Sequence, residues 1–261
     1  VKNDYPNAFF VSEWSNPSQS FKAGFDCDFV LDHWDNFYHR FIRSNEFSRG
    51  PSVLDGADFD FFMKDLKWRY EQSIKNPGYL GIISGNHDGS RLANYTTPDK
   101  LRLFYLLQFS LPGIPFIYYG DEIEMHFKDL DSKDGGYQRT GCRTPMQWDH
   151  SENDGFSKAK SDELYLPVNH ASNITLEDNL KDPNSLYFFI KKLIKIRKIN
   201  DDLTRKDMEF SENNRVLTIN RGKITTIINL SKKNVKIDGK ILITTGKENT
   251  LKPNEGAMYI K

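Results

Sequence analysis

At 261 residues the chain can fill one large core or a domain with a small appendage, and its 38% hydrophobic and 28% charged content is that of a soluble globular protein. The 36 basic residues balance 36 acidic ones, so no excess charge exists to recruit nucleic acid or an anionic membrane. Two cysteines, Cys27 and Cys142, exclude a disulfide framework or a cysteine metal cluster and are expected as free structural thiols.

No apolar run is long enough to cross a bilayer, and residues 1–5 are too polar for a signal peptide, so a soluble protein is expected. The first predicted element is 8–14 (AFFVSEW), an apolar run whose tip carries Ser12, Glu13 and Trp14. A carboxyl against an aromatic wall is desolvated and its pKa rises toward the range of a proton donor. Glu13 is therefore a candidate acid, although a surface Glu at a strand end fits the spacing as well.

Residues 25–34 (FDCDFVLDHW) hold a second strand over 27–31, with Asp32 or His33 near its end and Asp26 and Asp28 read as solvated positions. Helical spacing follows twice, at 37–48 with Phe37, Phe41 and Ile42, and at 58–74 with Phe61, Phe62, Leu66 and Tyr70 facing a core. Next comes 81–91 (GIISGNHDGSR), a β-branched run bounded by glycines and delivering Asn86, His87 and Asp88 at its carboxyl end. A plain loop in which Asp88 caps the next helix is the alternative.

Thr97 can cap a helix with Pro98 at its first position, the Pro-Gly-Ile-Pro turn at 112–115 breaks it, and 116–119 predicts a short buried strand before Gly120, Asp121 and Glu122. An amphipathic helix over 182–198 is capped by Asn184 or Ser185. Beyond Asp201 the period changes: 216–219, 225–229, 235–237, 242–245 and 258–260 are short β-branched runs of a small antiparallel β domain. Two domains are expected, 1–200 and 201–261.

The segment SGNHDGSR resembles the fourth signature of the α-amylase family, glycoside hydrolase family 13, with N-H-D at a strand end and an Arg three residues later. AFFVSEW is similar to the end of the family's fifth barrel strand, and PFIYYGDEIEM resembles the signature at its eighth. RTPMQWD, within 138–149, resembles the oligo-1,6-glucosidase and trehalose synthase branch. The resemblance implies an α/β fold: the second half of a TIM-type (β/α)8 barrel, strands five to eight, followed by a small antiparallel β-sandwich.

It also implies roles. Glu13 would be general acid and base, Asp88 would grip sugar hydroxyls at the cleaved bond, and His87 would donate hydrogen bonds to the same ring. Arg143 would help bind sugar or hold its loop by a salt bridge, while Arg91, Asp121 and Glu122 would be structural. The implied substrate is an α-glucan or maltooligosaccharide, which aromatics at 13% suit by stacking. Neither metal nor cofactor is expected.

A retaining glycosidase needs two carboxylates about 5–5.5 Å apart. The family's nucleophile lies in a G-F-R-x-D motif that this sequence does not contain, and the first-strand D-x-x-x-N-H signature is absent too. The expectation is thus a catalytically incomplete half of a retaining enzyme, inactive alone, that pairs with a missing N-terminal half or forms a homodimer through exposed strand edges. The alternatives are a trehalose synthase-type isomerase and a non-catalytic carbohydrate-binding or assembly protein on the same scaffold.

Overall fold

The computed structural model describes residues 1–31, 37–42, 51–133, 139–170, 173–247 and 249–261. Short strands alternate with helices up to residue 116: β1 (Val11–Ser12), α1 (Pro17–Lys22), β2 (Cys27–Val30), α2 (Phe37–Ile42), α3 (Asp60–Lys75), β3 (Tyr79–Ile83), α4 (Pro98–Ser110) and β4 (Ile114–Phe116). The strands form one parallel sheet in the order β1-β2-β3-β4, with Val11 opposite Cys27 and Gly81 between Phe29 and Ile114. Parallel neighbours need long crossovers, and helices supply them. Every strand therefore ends at the same rim, which is where loops after the strands gather.

The second half of the chain adds α5 (Leu176–Lys181), α6 (Leu186–Ile199) and then strands: β5 (Glu209–Asn213), β6 (Val216–Arg221), β7 (Ile224–Asn229), β8 (Val235–Lys236), β9 (Lys240–Thr244), β10 (Thr250–Leu251) and β11 (Glu255–Ile260). Five of these make an antiparallel sheet in the order β5-β6-β7-β11-β9, and β8 pairs with β10. Helix α4 explains how the two sheets are held together. Leu101 and every residue from Leu103 to Ser110 are buried, the pattern of a helix covered on all sides. Gln108 donates to the carbonyls of Ile82 and Phe116 in the parallel sheet, and the Ser110 hydroxyl meets that of Thr226 at 2.7 Å in the antiparallel one.

Two buried cations reinforce this seam. The Arg221 guanidinium donates to the carbonyls of Ser110, Asp207 and Leu203, and Arg197 reaches those of Phe109 and Gly113. Burial lowers both groups to about 10, and the carbonyl dipoles satisfy their donors. Amphipathic α6 buries Leu186, Ile190, Leu193 and Ile196 on the same core.

Several expectations are corrected. Asp28 is 1% exposed, because β2 is a parallel strand covered on both faces and its alternation does not mark a solvent side. Phe61 is 38% exposed while Phe62 and Leu66 of the same helix are buried. The strand expected at 116–119 lies at Ile114–Phe116, because beyond it the Tyr118 amide turns to the Ser84 hydroxyl. The hydroxyls of Thr97 and Ser185 do not cap their helices; that of Ser185 donates to the Asn179 carbonyl instead. The two strands β5 and β10 were not anticipated, β5 being largely polar. Cys27 and Cys142 are free and buried, and burial raises their thiols to about 12 and about 11. Among the described residues no helix is long and apolar enough to cross a membrane.

Candidate active site

The rim of the parallel sheet collects the polar residues that follow the strands. Glu13 comes directly after β1, and His87 and Asp88 come four and five residues after β3 ends at Ile83. The His87 Nδ1 lies 4.0 Å from Glu13 Oε1, and its Nε2 lies 3.5 Å from Asp88 Oδ2. One ligand atom from each of the three falls within 4.8 Å of the others. All three side chains are open to solvent, so the aromatic wall expected beside Glu13 is not formed. Trp14 is 63% exposed, and its indole N–H donates to Gln19 Oε1 at 2.6 Å. Asp32 and His33 lie outside the described residues.

The turn carrying Glu13 is fixed from beneath. Asp28 Oδ1 accepts from the hydroxyls of Ser12 at 2.6 Å and Ser20 at 3.0 Å, and the amides of Trp14 and Ser15 face the same carboxyl. Burial pushes Asp28 above the usual carboxylate range while these donors pull it back. Ser15 adopts a φ of +59°, uncommon for a residue with a side chain, and its carbonyl accepts from Arg69 at 3.1 Å. Arg69 is held in turn by Asp65 at 3.0 Å.

Asp88 is clamped more tightly than its neighbours. Its amide donates to Asn86 Oδ1, and its Oδ1 accepts from Arg139 at 2.7 Å and from Arg143 at 3.0 Å. Arg143, the residue expected either to bind sugar or to hold its loop, also donates from Nε to the His87 carbonyl at 2.8 Å. Arg139 is the residue that sequence reasoning missed. The spacing R-T-G-C-R contained the signal, since a 3-10 turn at Thr140–Cys142 brings both arginines to one side. Gly141 permits this turn, because a Cβ there would sit 1.7 Å from the Lys128 carbonyl oxygen.

A buried ion pair braces the floor. Arg91, 1% exposed, donates to Asp121 Oδ1 at 3.1 Å, to the Tyr119 carbonyl at 2.6 Å and to the Cys142 carbonyl at 2.9 Å. The rings of Tyr118 and Tyr119 lie 4.9 and 4.8 Å from its guanidinium carbon. The other Asp121 oxygen accepts from Ser84 Oγ at 2.7 Å, tying the end of β3 to the loop after β4. Gly120 makes that loop possible with a φ of +85°.

Glu13, His87 and Asp88 are the one group of three converging metal-ligating side chains among the described residues. The two guanidiniums on Asp88 oppose a bound cation there, and the set suits a neutral hydroxylated ligand better: two carboxylates to accept or move protons and an imidazole between them. Beside it, sharing Arg143 and Tyr119, opens a cavity of about 390 Å³ walled by Glu122, Met146, Trp148, Phe156 and Tyr165. Burial pushes the Glu122 carboxyl above its usual range.

The loop that walls this cavity docks α5 through a pair that titrates. His150 Nε2 lies 2.8 Å from Asp178 Oδ2, which also accepts from Thr175 Oγ1, with Glu177 and Lys181 nearby. The hydrogen bond and charge of Asp178 raise His150 above its ordinary 6.5, and those of His150 lower Asp178 below its ordinary 3.8. A raised histidine contributes fully below 6.5 and is lost as pH climbs through its folded value; a depressed carboxylate contributes above 3.8 and is lost as pH falls. Protection of the 176–181 amides, relative to their intrinsic exchange rate at each pH, should therefore be greatest between these two values and fall on either side. In His150→Ala the alkaline loss of protection should vanish; an unchanged profile would contradict the pairing.

Comparison with known proteins gives a match to the family model "Alpha amylase, catalytic domain" over residues 1–206. The chain is 28% identical over 244 residues to the oligo-1,6-glucosidase of Heyndrickxia coagulans, covering 74% of this chain and 43% of that protein. It is 30% identical over 186 residues to the trehalose synthase/amylase TreS of Mycolicibacterium smegmatis, covering 62% and 29%. Among solved structures, the α-amylase from H. orenii superposes with a TM-score of 0.75 at 20% identity over 99% of this chain and 54% of that one. The trehalulose synthase MutB from Pseudomonas mesoacidophila MX-45 gives 0.74 at 18%, over 99% and 56%. The chain thus spans less than half the length of these two curated relatives and just over half that of these structures, whose fold it shares in part.

Proposed function

The chain belongs to the α-amylase family, and from that premise we propose that it is the C-terminal half of a retaining glycoside hydrolase acting on α-glucosidic bonds. In this reading β1 to β4 are strands five to eight of a TIM-type barrel within residues 1–200, and residues 201–261 are an appended β-sandwich domain. The two open edges, β1 and β4, are where a complementary half closes the barrel. The observation that carries the reading is the meeting of Glu13, His87 and Asp88 at the ends of adjacent strands.

Glu13 protonates the glycosidic oxygen as its bond to the anomeric carbon breaks, then takes a proton from the water that completes hydrolysis. Asp88 accepts hydrogen bonds from ring hydroxyls and favours the positive, flattened ring of the transition state, held in place by Arg139 and Arg143. His87 donates to the same ring. Arg91 and Asp121 shape the floor without touching substrate. The attacking carboxylate comes from the complementary half, so the purified 261-residue chain should not turn over maltooligosaccharides.

Turnover should appear when a nucleophile-bearing half is supplied, and Glu13→Gln should then lower kcat by about 10²–10⁴-fold, the usual weight of general acid–base catalysis. Robust turnover by the chain alone, or a Glu13→Gln enzyme within tenfold of wild type, would sink this assignment. The likeness to trehalose synthases supports a second reading, an isomerase, and product analysis on maltose distinguishes glucose from trehalose.

A further inference from the structure

Asp28 is a buried carboxyl that the chemistry above does not use. It sits in β2, 1% exposed, opposite Ser12 in the register of the parallel sheet, and Ser12 is the residue before Glu13. Its Oδ1 accepts from Ser12 Oγ at 2.6 Å and from Ser20 Oγ of α1 at 3.0 Å, while the amides of Trp14 and Ser15, the two residues after Glu13, face the same carboxyl. One buried group thus holds the chain on both sides of Glu13. Its Oδ2 is buried as well and closes no hydrogen bond with the described residues. Burying a carboxyl is costly unless donors are fixed around it, so the turn is confined to the geometry that supplies them. The Glu13 carboxyl itself stands open to solvent, 4.0 Å from His87 Nδ1, and its place is set by the turn that carries it.

We infer that Asp28 is a positioning residue for the proton donor: it grips Ser12 before Glu13 and the amides after it, and so fixes the turn that aims the Glu13 carboxyl at the glycosidic oxygen. The inference rests on the reading of Glu13, His87 and Asp88 as an α-glucoside site and adds which buried group aims its acid. Asp28 touches neither sugar nor the Glu13 carboxyl and acts through the backbone of residues 12–15. Arg69 completes the bracket from α3, donating to the Ser15 carbonyl at 3.1 Å and to the Ser15 hydroxyl at 3.4 Å. Asp88 is braced separately, by Arg139 and Arg143. A change at Asp28 should therefore displace Glu13 and leave His87 and Asp88 in place.

The test is NMR of the full 261-residue chain, reading the Glu13 side-chain carboxyl carbon, assigned with Glu13→Gln, and the His87 ring. Without sugar, wild type should show an Overhauser contact between the Glu13 side chain and the His87 ring; methyl α-glucoside should shift both signals. Asp28→Asn turns an amide nitrogen toward backbone donors, and Ser12→Ala cuts the bond to the residue before Glu13. In both, a displacement of about 1 Å, of the size that spoils catalytic alignment, should lower the Overhauser contact and the sugar-induced Glu13 shift about threefold or more. The His87 shift should persist, and Ser12→Thr, which keeps the hydroxyl, should restore the Glu13 signals. Should Asp28→Asn fail to fold, the Ser12 pair decides. Variants that unfold more readily in urea yet keep the wild-type Overhauser contact and Glu13 response would make Asp28 merely structural and overturn the inference. If methyl α-glucoside moves neither signal in wild type while the sugar-free contact is still lost in the variants, the reading of the cluster fails and the hold of Asp28 on Glu13 stands.

Discussion

Replacing Arg91 by alanine should cost about 3–5 kcal/mol of unfolding free energy, the usual result of removing one partner of a buried ion pair. The reason is what remains. Asp121 keeps a buried carboxylate with Ser84 on one oxygen and loses its guanidinium on the other, while the Tyr119 carbonyl loses the Arg91 donor and that of Cys142 keeps the Tyr118 hydroxyl at 3.3 Å. Those two carbonyls belong to the loop after β4 and to the turn that aims Arg139 and Arg143, so the damage should spread to the rim. Arg91→Lys keeps the charge without the fork that serves three acceptors and should fall between the two. Denaturant unfolding measures both, and a loss below about 1 kcal/mol in Arg91→Ala would show that the pair does not brace the site.

The second large effect falls on ligand binding. In Asp88→Asn the side chain keeps an acceptor for Arg139 and Arg143 but loses its charge, and with it the charge-assisted bonds to sugar hydroxyls that the proposed function gives it. Bonds to a charged group contribute roughly 1.5–3 kcal/mol, so affinity for methyl α-glucoside should fall about 10- to 100-fold. Arg139 and Arg143 then lose the charge of Asp88, which adds to the loss. Calorimetry on wild type and variant measures it. Equal affinities would remove Asp88 from the site.

The parts of this site that the sequence makes legible are those governed by local rules. An apolar β-branched run ending in polar residues delivers them to the carboxyl end of a parallel strand, and this places Glu13 on one strand and His87 and Asp88 on another. The resemblance to the α-amylase family then adds that these strands share a rim. What stays hidden depends on contacts between distant segments. Arg139 reaches Asp88 across 51 positions, a pairing that becomes visible only once the 3-10 turn at Thr140–Cys142 is folded. Asp28 looks like a solvated strand position until both faces of β2 are covered, and its partners Ser12 and Ser20 lie on other elements.

Glu13 shows the opposite failure. Its neighbour Trp14 suggests a desolvating wall, but both residues lie in the turn after β1, and the indole turns to Gln19 instead. The local pattern therefore located the carboxyl without describing its surroundings. The aromatic cavity was equally opaque, since Trp148, Phe156 and Tyr165 are separated along the chain between β4 and α5. Their joint surface exists only in the folded chain.

The most direct measurement is the His87 imidazole NMR signal of the 261-residue chain during titration with methyl α-glucoside and, separately, methyl β-glucoside. A saturable shift with the α-anomer, weaker or absent with the β-anomer and lost in Asp88→Asn, is the result this account predicts. A His87 signal that neither anomer moves, or that both move equally in wild type and variant, would contradict it.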